Sequence, residues 1–175
     1  IVRRYAALLD HRLTVESEPM QGSRFAIAVP LVLNPPRLAT VQIGRASEDG
    51  RLSRRRVLVV DNMDMLLESM ERTILAWGCE VYSAHDLDEA RLVARDHMLD
   101  VVISDFHLGD REPNGLLLIE VLRQLQPKGR MLPCVLMTGD VSPQLEAQAS
   151  RQGVRVLHKP VRPIVLQNVL LELLP

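Results

Sequence analysis

Two carboxylates stand at the ends of apolar runs, where packing alone gives them no reason to be. Asp61 closes "VLVVDN" and Asp105 closes "VVISDF". An ionised carboxylate in such a place costs free energy unless a cation or hydrogen-bond donors meet it. Two later apolar runs also end in polar groups: Thr138-Gly139 follows "CVLM", and His158-Lys159-Pro160 follows "VRVL". Phosphoryl transfer to a carboxylate needs this set. Asp105 is then the nucleophile. A pair of acidic residues on one rim attracts a hard, oxygen-seeking cation, which at a phosphoryl site means Mg2+. Such an ion neutralises and orients the transferring group. Lys159 adds a second positive charge as a compact donor. Thr138 offers a hydroxyl to a phosphoryl oxygen, and Gly139 leaves room for the incoming group.

These residues can meet only if the elements carrying them lie side by side. From Arg56 onward, short apolar runs (57–60, 80–84, 100–104, 132–138 and 154–157) read as strands. Between and after them lie segments of helical spacing: 63–77, 86–98, 114–126, 142–153 and 162–174. Gly78 ends the first helix, Asp86 and Glu89 form a capping box on the second, and Ser142 with Pro143 starts the fourth. Five apolar strands alternating with five amphipathic helices predict a parallel sheet covered on both faces, a doubly wound α/β domain. Ligands in such sheets bind beyond the carboxyl ends of the strands. Asp61, Asp105, Thr138 and Lys159 all fall there.

Upstream the pattern differs. Residues 1–10 read as a helix with Ile1, Val2, Tyr5, Leu8 and Leu9 on one face. Residues 12–18 and 24–32 alternate as a hairpin, with Pro30 weakening its second strand. One helix and a hairpin cannot close a core alone. Residues 35–55, rich in Pro, Gly, Ser and mixed charge, read as a linker, and the Arg54–Arg56 run as a solvated edge.

Composition excludes some classes. Apolar residues make up 47% and charged residues 25%, as in a globular protein, and aromatics are only 3%, so the core is aliphatic. A net charge of −1 gives no basic excess for nucleic acid or a membrane surface. Cys79 and Cys134 lack metal-ligand spacing and are expected to be buried free thiols in a reducing cytoplasm. No apolar run reaches membrane-spanning length and no leader is visible. The chain opens on Ile1, so it is expected to be cut from a longer protein.

With "VLVVDN", "VVISDFHL", "VLMTG" and "LHKPV" in this order, residues 56–175 resemble a response-regulator receiver domain of two-component signalling. The resemblance implies a flavodoxin-like, five-stranded sheet of order 2-1-3-4-5. It implies that Asp105 accepts phosphate from a phosphohistidine, that Lys159 and Thr138 contact the phosphoryl group, and that Mg2+ is held by Asp61, Asn62, Asp105 and the backbone carbonyl of His107. It also implies a cis peptide before Pro160, and a switch in which Thr138 signals to the face of the fourth helix, fifth strand and fifth helix. Residues 1–34 resemble the last helix and closing hairpin of a histidine-kinase ATP-binding domain. The resemblance implies a hybrid sensor kinase as parent, membrane-anchored upstream or not. It implies partners that carry a phosphohistidine, either a kinase dimerisation domain or a separate phosphotransfer protein. Without the nucleotide-binding segments, this chain is expected to catalyse only its own phosphorylation and dephosphorylation. Residues 1–34, having lost a partner sheet, are expected to be disordered or to pair with another copy as a homodimer.

The sequence departs from the family pattern in three places. Asn62 stands where a second acid is usual, which weakens Mg2+ binding. Asp64 can compensate, but capping the first helix is the favoured role. The loop from Asp105 to Gly115 is longer than usual and carries Asp110, Arg111 and Glu112. Val156 occupies a position that is often aromatic in receivers. His85, His107 and His158 read as loop residues, and the methionines as packing. Two rival functions stay open. One is a pseudo-receiver that only docks, disabled by Asn62. The other is an aspartyl phosphatase on the same fold class, against which His107 counts, since that class usually has an acid there.

Overall fold

A computed structural model describes residues 2–30, 50–109, 114–127 and 129–174, with Arg4, Tyr5 and Leu8 described by backbone only. Most of the 35–55 stretch and the charges Asp110, Arg111 and Glu112 lie outside the described residues. The chain divides into two compact units, Ile1–Val41 and Gln42–Pro175.

In the first unit, α1 (Val2–Leu8) precedes a hairpin of β1 (Arg12–Glu18) and β2 (Gly22–Ala28). Leu13 pairs with Ile27 and Val15 with Phe25, so these four side chains share one face. Phe25 is 70% exposed and Val15 54% exposed, so that face is uncovered among the described residues of this unit. Among the α1 residues whose side chains are described, Ala6 is buried, whereas Val2 and, just past the helix, Leu9, placed on the apolar face by the sequence pattern, are exposed. Helical spacing fixed the face but not whether anything packs on it.

The second unit carries a five-stranded sheet of order β4-β3-β5-β6-β7, every pairing parallel. Its strands are β3 (Arg56–Val60), β4 (Glu80–Ala84), β5 (Val101–Asp105), β6 (Cys134–Thr138) and β7 (Arg155–His158). Its helices are α2 (Asp64–Leu75), α3 (Leu87–Asp96), α4 (Gly115–Gln124), α5 (Pro143–Arg151) and α6 (Pro163–Leu173). Counted within this sheet, the order is the expected 2-1-3-4-5. Alternate strand residues feed opposite faces. Leu58, Val60, Val102, Cys134 and Leu136 pack with residues of α3, α4 and α5. Val57, Val59, Val101, Ile103, Val135 and Met137 pack with residues of α2 and α6. Because both faces are covered, the central strands β3, β5 and β6 are almost wholly buried, while the edge strands β4 and β7 keep exposed polar residues such as Glu80 and Arg155.

Leu52, just ahead of β3, is fully buried beside Trp77 and Cys79. Cys79 Sγ donates to the Leu52 carbonyl at 3.3 Å. The end of the stretch read as a linker therefore packs into the sheet unit. Both cysteines are free and buried, and burial pushes each thiol up to about 11.

Helix starts hold two corrections. Asp86 caps α3, accepting from Glu89 N–H, but the Glu89 carboxylate reaches back to His85 N–H at 2.8 Å. Ser142 occupies the N-cap position of α5 yet makes no capping bond. Its hydroxyl and its N–H both donate to Asp140 instead, at 3.1 and 2.8 Å. The Asp140 carboxylate takes the hydroxyl proton and the Ser142 N–H, and in that orientation the hydroxyl oxygen accepts nothing from the first turn of α5.

Candidate functional site

Strand pairing brings the four polar ends together. Val60 lies beside Ser104, Asp105 beside Met137, and Thr138 beside His158. The residues that follow these strands, Asp61 and Lys159, therefore leave the sheet on the same rim as Asp105. Backbone bonds fix the exits: Asp61 N–H donates to the Ala84 carbonyl at 3.2 Å, Phe106 N–H to Met137 at 2.9 Å, and Lys159 N–H to Thr138 at 2.7 Å. The Lys159–Pro160 peptide is cis, as the resemblance implies.

Lys159 Nζ sits 3.1 Å from Asp61 Oδ2 and 3.1 Å from Asp105 Oδ1. Asp61 is 1% exposed and Asp105 8% exposed, so both carboxylates need partners inside the protein, and Lys159 supplies one. Backbone donors finish the job. Met63 N–H donates to Asp61 Oδ1 at 3.0 Å and Phe106 N–H to Asp105 Oδ1 at 2.8 Å. One cation thus serves two buried anions.

The other expected site residues are placed differently. Thr138 is fully buried, and its Oγ1 accepts from Asp140 N–H at 2.9 Å. Asn62 and His107 are exposed on the loops after β3 and β5. The His107 ring stacks edge-on against Phe106. Among the described residues no group of three or more His, Cys, Asp or Glu is placed to hold a metal. Mg2+ is commonly bound by one or two carboxylates, with waters completing its shell. The two carboxylates bridged by Lys159 fit that donor set.

Two contributors escaped sequence reasoning. Gly115 opens α4 directly behind Asp105: a Cβ built there would lie 2.2 Å from the Asp105 carbonyl oxygen and 2.8 Å from Leu136 Cδ1. Only glycine fits so close an approach. Its N–H donates to the Phe106 carbonyl at 2.9 Å, tying the acceptor loop to the helix. The "NG" pair ahead of an apolar helix was the available signal. His85 is the second. Its Nδ1 meets Glu89 Oε2 and its Nε2 meets Asp64 Oδ1, each at 2.8 Å. The hydrogen bonds from Glu89 and then Asp64 raise its pKa above the ordinary 6.5. Asp64 is therefore neither the cap of α2, a place taken by Met63, nor bonded to the rim residues; it pairs with His85. Nothing in the sequence links positions 64 and 85, because only β3–β4 pairing brings them together.

Beside Lys159, a largely apolar hollow of about 460 Å3 is lined by Leu66, Met70, Met137, Lys159, Pro160 and Val161. Met63 and Met65 are exposed on the neighbouring turn.

Residues 57–171 match the model of the response regulator receiver domain. The chain belongs to that family. The receiver unit also resembles solved receivers. Chemotaxis protein CheY4 of Vibrio cholerae is 27% identical, with a TM-score of 0.63 over 70% of this chain and 100% of its own. A response regulator from Burkholderia pseudomallei, solved with a phosphorylated aspartic acid, calcium ion and citrate, is 29% identical, with a TM-score of 0.58 over 69% of this chain and 66% of its own. Along 98% of its length the chain is 28% identical to the sensor histidine kinase AruS of Pseudomonas aeruginosa, of which it spans 17%. The receiver assignment places this chain in two-component signal transduction.

Proposed function

We propose that this receiver is a phospho-acceptor of a hybrid histidine kinase, taking a phosphoryl group from phosphohistidine onto Asp105. The observation that carries the reading is the double contact of Lys159 with Asp61 and Asp105. Asp105 Oδ1 is committed to Lys159 and to Phe106 N–H, so Oδ2 is the oxygen that attacks phosphorus. The new O–P bond forms as the P–N bond of the donor breaks. The electron pair returns to the donor imidazole, which takes up a proton. The carboxylates of Asp61 and Asp105, the amide oxygen of Asn62 and the backbone carbonyl of His107 would hold Mg2+, which when bound would supply charge neutralisation for the transferring group. Lys159 balances the acyl phosphate once formed, and the Thr138 hydroxyl, still free to donate its proton, turns to a phosphoryl oxygen.

The partner is a helical domain that presents the phosphohistidine, either the kinase's own or a separate phosphotransfer protein. The apolar hollow beside Lys159 and the exposed Met63 and Met65 suit a helix that must come close to Asp105. The likeness to AruS over nearly the whole chain supports a sensor-kinase parent. Residues 1–34, the close of a kinase ATP-binding domain, would then lie against upstream sheet through the Leu13, Val15, Phe25 and Ile27 face. Residues 35–55 connect the two parts. We place the domain in the cytoplasm; among the described residues no helix is long and apolar enough to cross a membrane.

Incubation with acetyl phosphate and Mg2+, read by intact mass, tests the reading. One added phosphoryl group, lost in Asp105→Asn and on removing Mg2+, is expected. No adduct at saturating Mg2+ would leave the pseudo-receiver, with Asn62 disabling the metal site.

A further inference from the structure

All strands of the receiver sheet run in parallel, so the unit has a second rim opposite the acceptor rim, where the strands begin and the helices end. A five-residue strand such as β5 sets the rims about 17 Å apart. The net charge of −1 offers nothing to an anionic surface by itself, yet it sums two unlike ends. Asp61, Asp64, Asp86, Asp105 and Asp140 crowd the acceptor rim. On the opposite rim Arg51, Arg54, Arg55 and Arg56 lead into β3, Arg95 and Arg123 lie in the last turns of α3 and α4, and Arg130 precedes β6. Among the described residues the acids of this rim are Glu80, Asp96, Asp100 and Glu172. Glu172 is matched by Arg155, and Asp100 takes both Arg56 and Arg130, at 3.6 and 3.1 Å. Cations therefore dominate. Helix dipoles account for Arg95 and Arg123, but the arginines at 51–56 stand ahead of a strand and have no helix end to serve. Their segment is held in place, with Leu52 fully buried and Arg54 N–H donating to the Gly78 carbonyl at 2.8 Å.

Apolar side chains protrude on the same rim. Met131 is 82% exposed, Leu75 55%, Leu125 49% and Met98 43%. They stand next to the cations: Arg130 Nη1 lies 3.8 Å from Met98 Sδ, and Arg95, Met98 and Leu125 line one cleft at the ends of α3 and α4. We infer that this rim is a docking surface for an anionic lipid bilayer. The arginines meet headgroup phosphates, while the leucine and methionine tips enter the boundary between headgroups and acyl chains. Nucleic acid shares the phosphates but gives these apolar tips nothing to enter. The tips are spread over the α2–β4, α3–β5 and α4–β6 connections, which suits a plane better than a peptide segment seated in one groove. A bilayer met in this way leaves the acceptor rim facing away from the lipid and open to its phosphodonor. The inference does not use the chemistry of Asp105.

Sedimentation of the whole chain with vesicles tests the surface. One set is phosphatidylcholine alone; the other is phosphatidylcholine mixed with phosphatidylglycerol. Binding to the mixed vesicles only, weakening as salt rises, is expected. Arg54→Asn combined with Arg95→Gln is expected to weaken it by about thirtyfold, the product of about fivefold for each arginine. Asparagine tolerates the left-handed backbone at position 54, where φ is 60°. Met131→Gln, on an exposed connection, is expected to weaken binding by about tenfold without changing the charge. Arg162→Gln removes a charge ahead of α6, at the acceptor end, and is expected to change nothing. Thermal unfolding confirms that each variant is folded. Equal binding to both vesicle sets, binding that the Arg54, Arg95 and Met131 variants leave intact, or an equal loss in Arg162→Gln would overturn the inference. So would no binding to the mixed vesicles, and retention on duplex DNA in that case would assign the rim to nucleic acid.

Discussion

Lys159 and Asp61, 98 residues apart in the chain, meet through one hydrogen bond of 3.1 Å on the rim of the sheet. The same ammonium reaches Asp105, so a single cation sets the charge balance of the site. Lys159→Met is expected to leave two buried carboxylates without their shared partner. Breaking a buried pair costs several kcal/mol, but the Lys159 side chain is 29% exposed, so solvent screening reduces the loss to about 1–3 kcal/mol. Urea unfolding measures this, and an unchanged midpoint would show that water already neutralises the pair.

Gly115 has no space for a side chain behind Asp105, whereas a Cβ on Gly139 would meet nothing within 4 Å. Gly115→Ala is expected to destabilise by about 1–3 kcal/mol through overpacking, and Gly139→Ala to be nearly neutral. Thermal unfolding of the two variants side by side checks the contrast. Equal midpoints would mean that α4 shifts away freely.

Leu52 lies in a polar stretch yet is fully buried. Leu52→Ala is expected to cost about 2–5 kcal/mol, the range for a core leucine. A change within error in chemical denaturation would return residues 50–55 to the role of a passive connection.

The His85 cluster makes stability depend on pH. Glu89 and Asp64 raise the histidine pKa above 6.5, so its contribution is complete below 6.5 and fades as pH rises through the raised folded value. The Glu89 carboxyl is held below 4.5 by its bonds to His85, so its contribution is present above 4.5 and fades as pH falls through the lowered value. The cluster therefore helps most between 4.5 and 6.5. An NMR titration of His85 is expected to show a midpoint that drops in Glu89→Gln; an equal midpoint in both proteins would refute the pairing.

Much of this was legible in the sequence, for a physical reason. Apolar runs such as 57–60 and 101–104 must be covered on both sides, and that alone implies a doubly wound sheet. Polar residues at their ends then have to share one rim, which is why Asp61, Asp105 and Lys159 could be grouped before any coordinates. What stayed hidden depends on contacts that cross between elements. Asp64 looked like a cap because its partner, His85, lies one strand away. Ser142 looked like a cap because propensity does not say that its hydroxyl turns to donate to Asp140 and leaves the first turn uncapped. Leu52 looked like linker because its neighbours in sequence are polar, while its neighbours in space are Trp77 and Cys79.

The central claim is that Asp105 itself carries the phosphoryl group. Phosphorylated protein reduced with borohydride and digested converts an aspartyl phosphate to homoserine at the position that held it. The account predicts homoserine at residue 105 and an unmodified Asp61. Homoserine elsewhere, or none at all in protein whose mass shows a bound phosphoryl group, would contradict it.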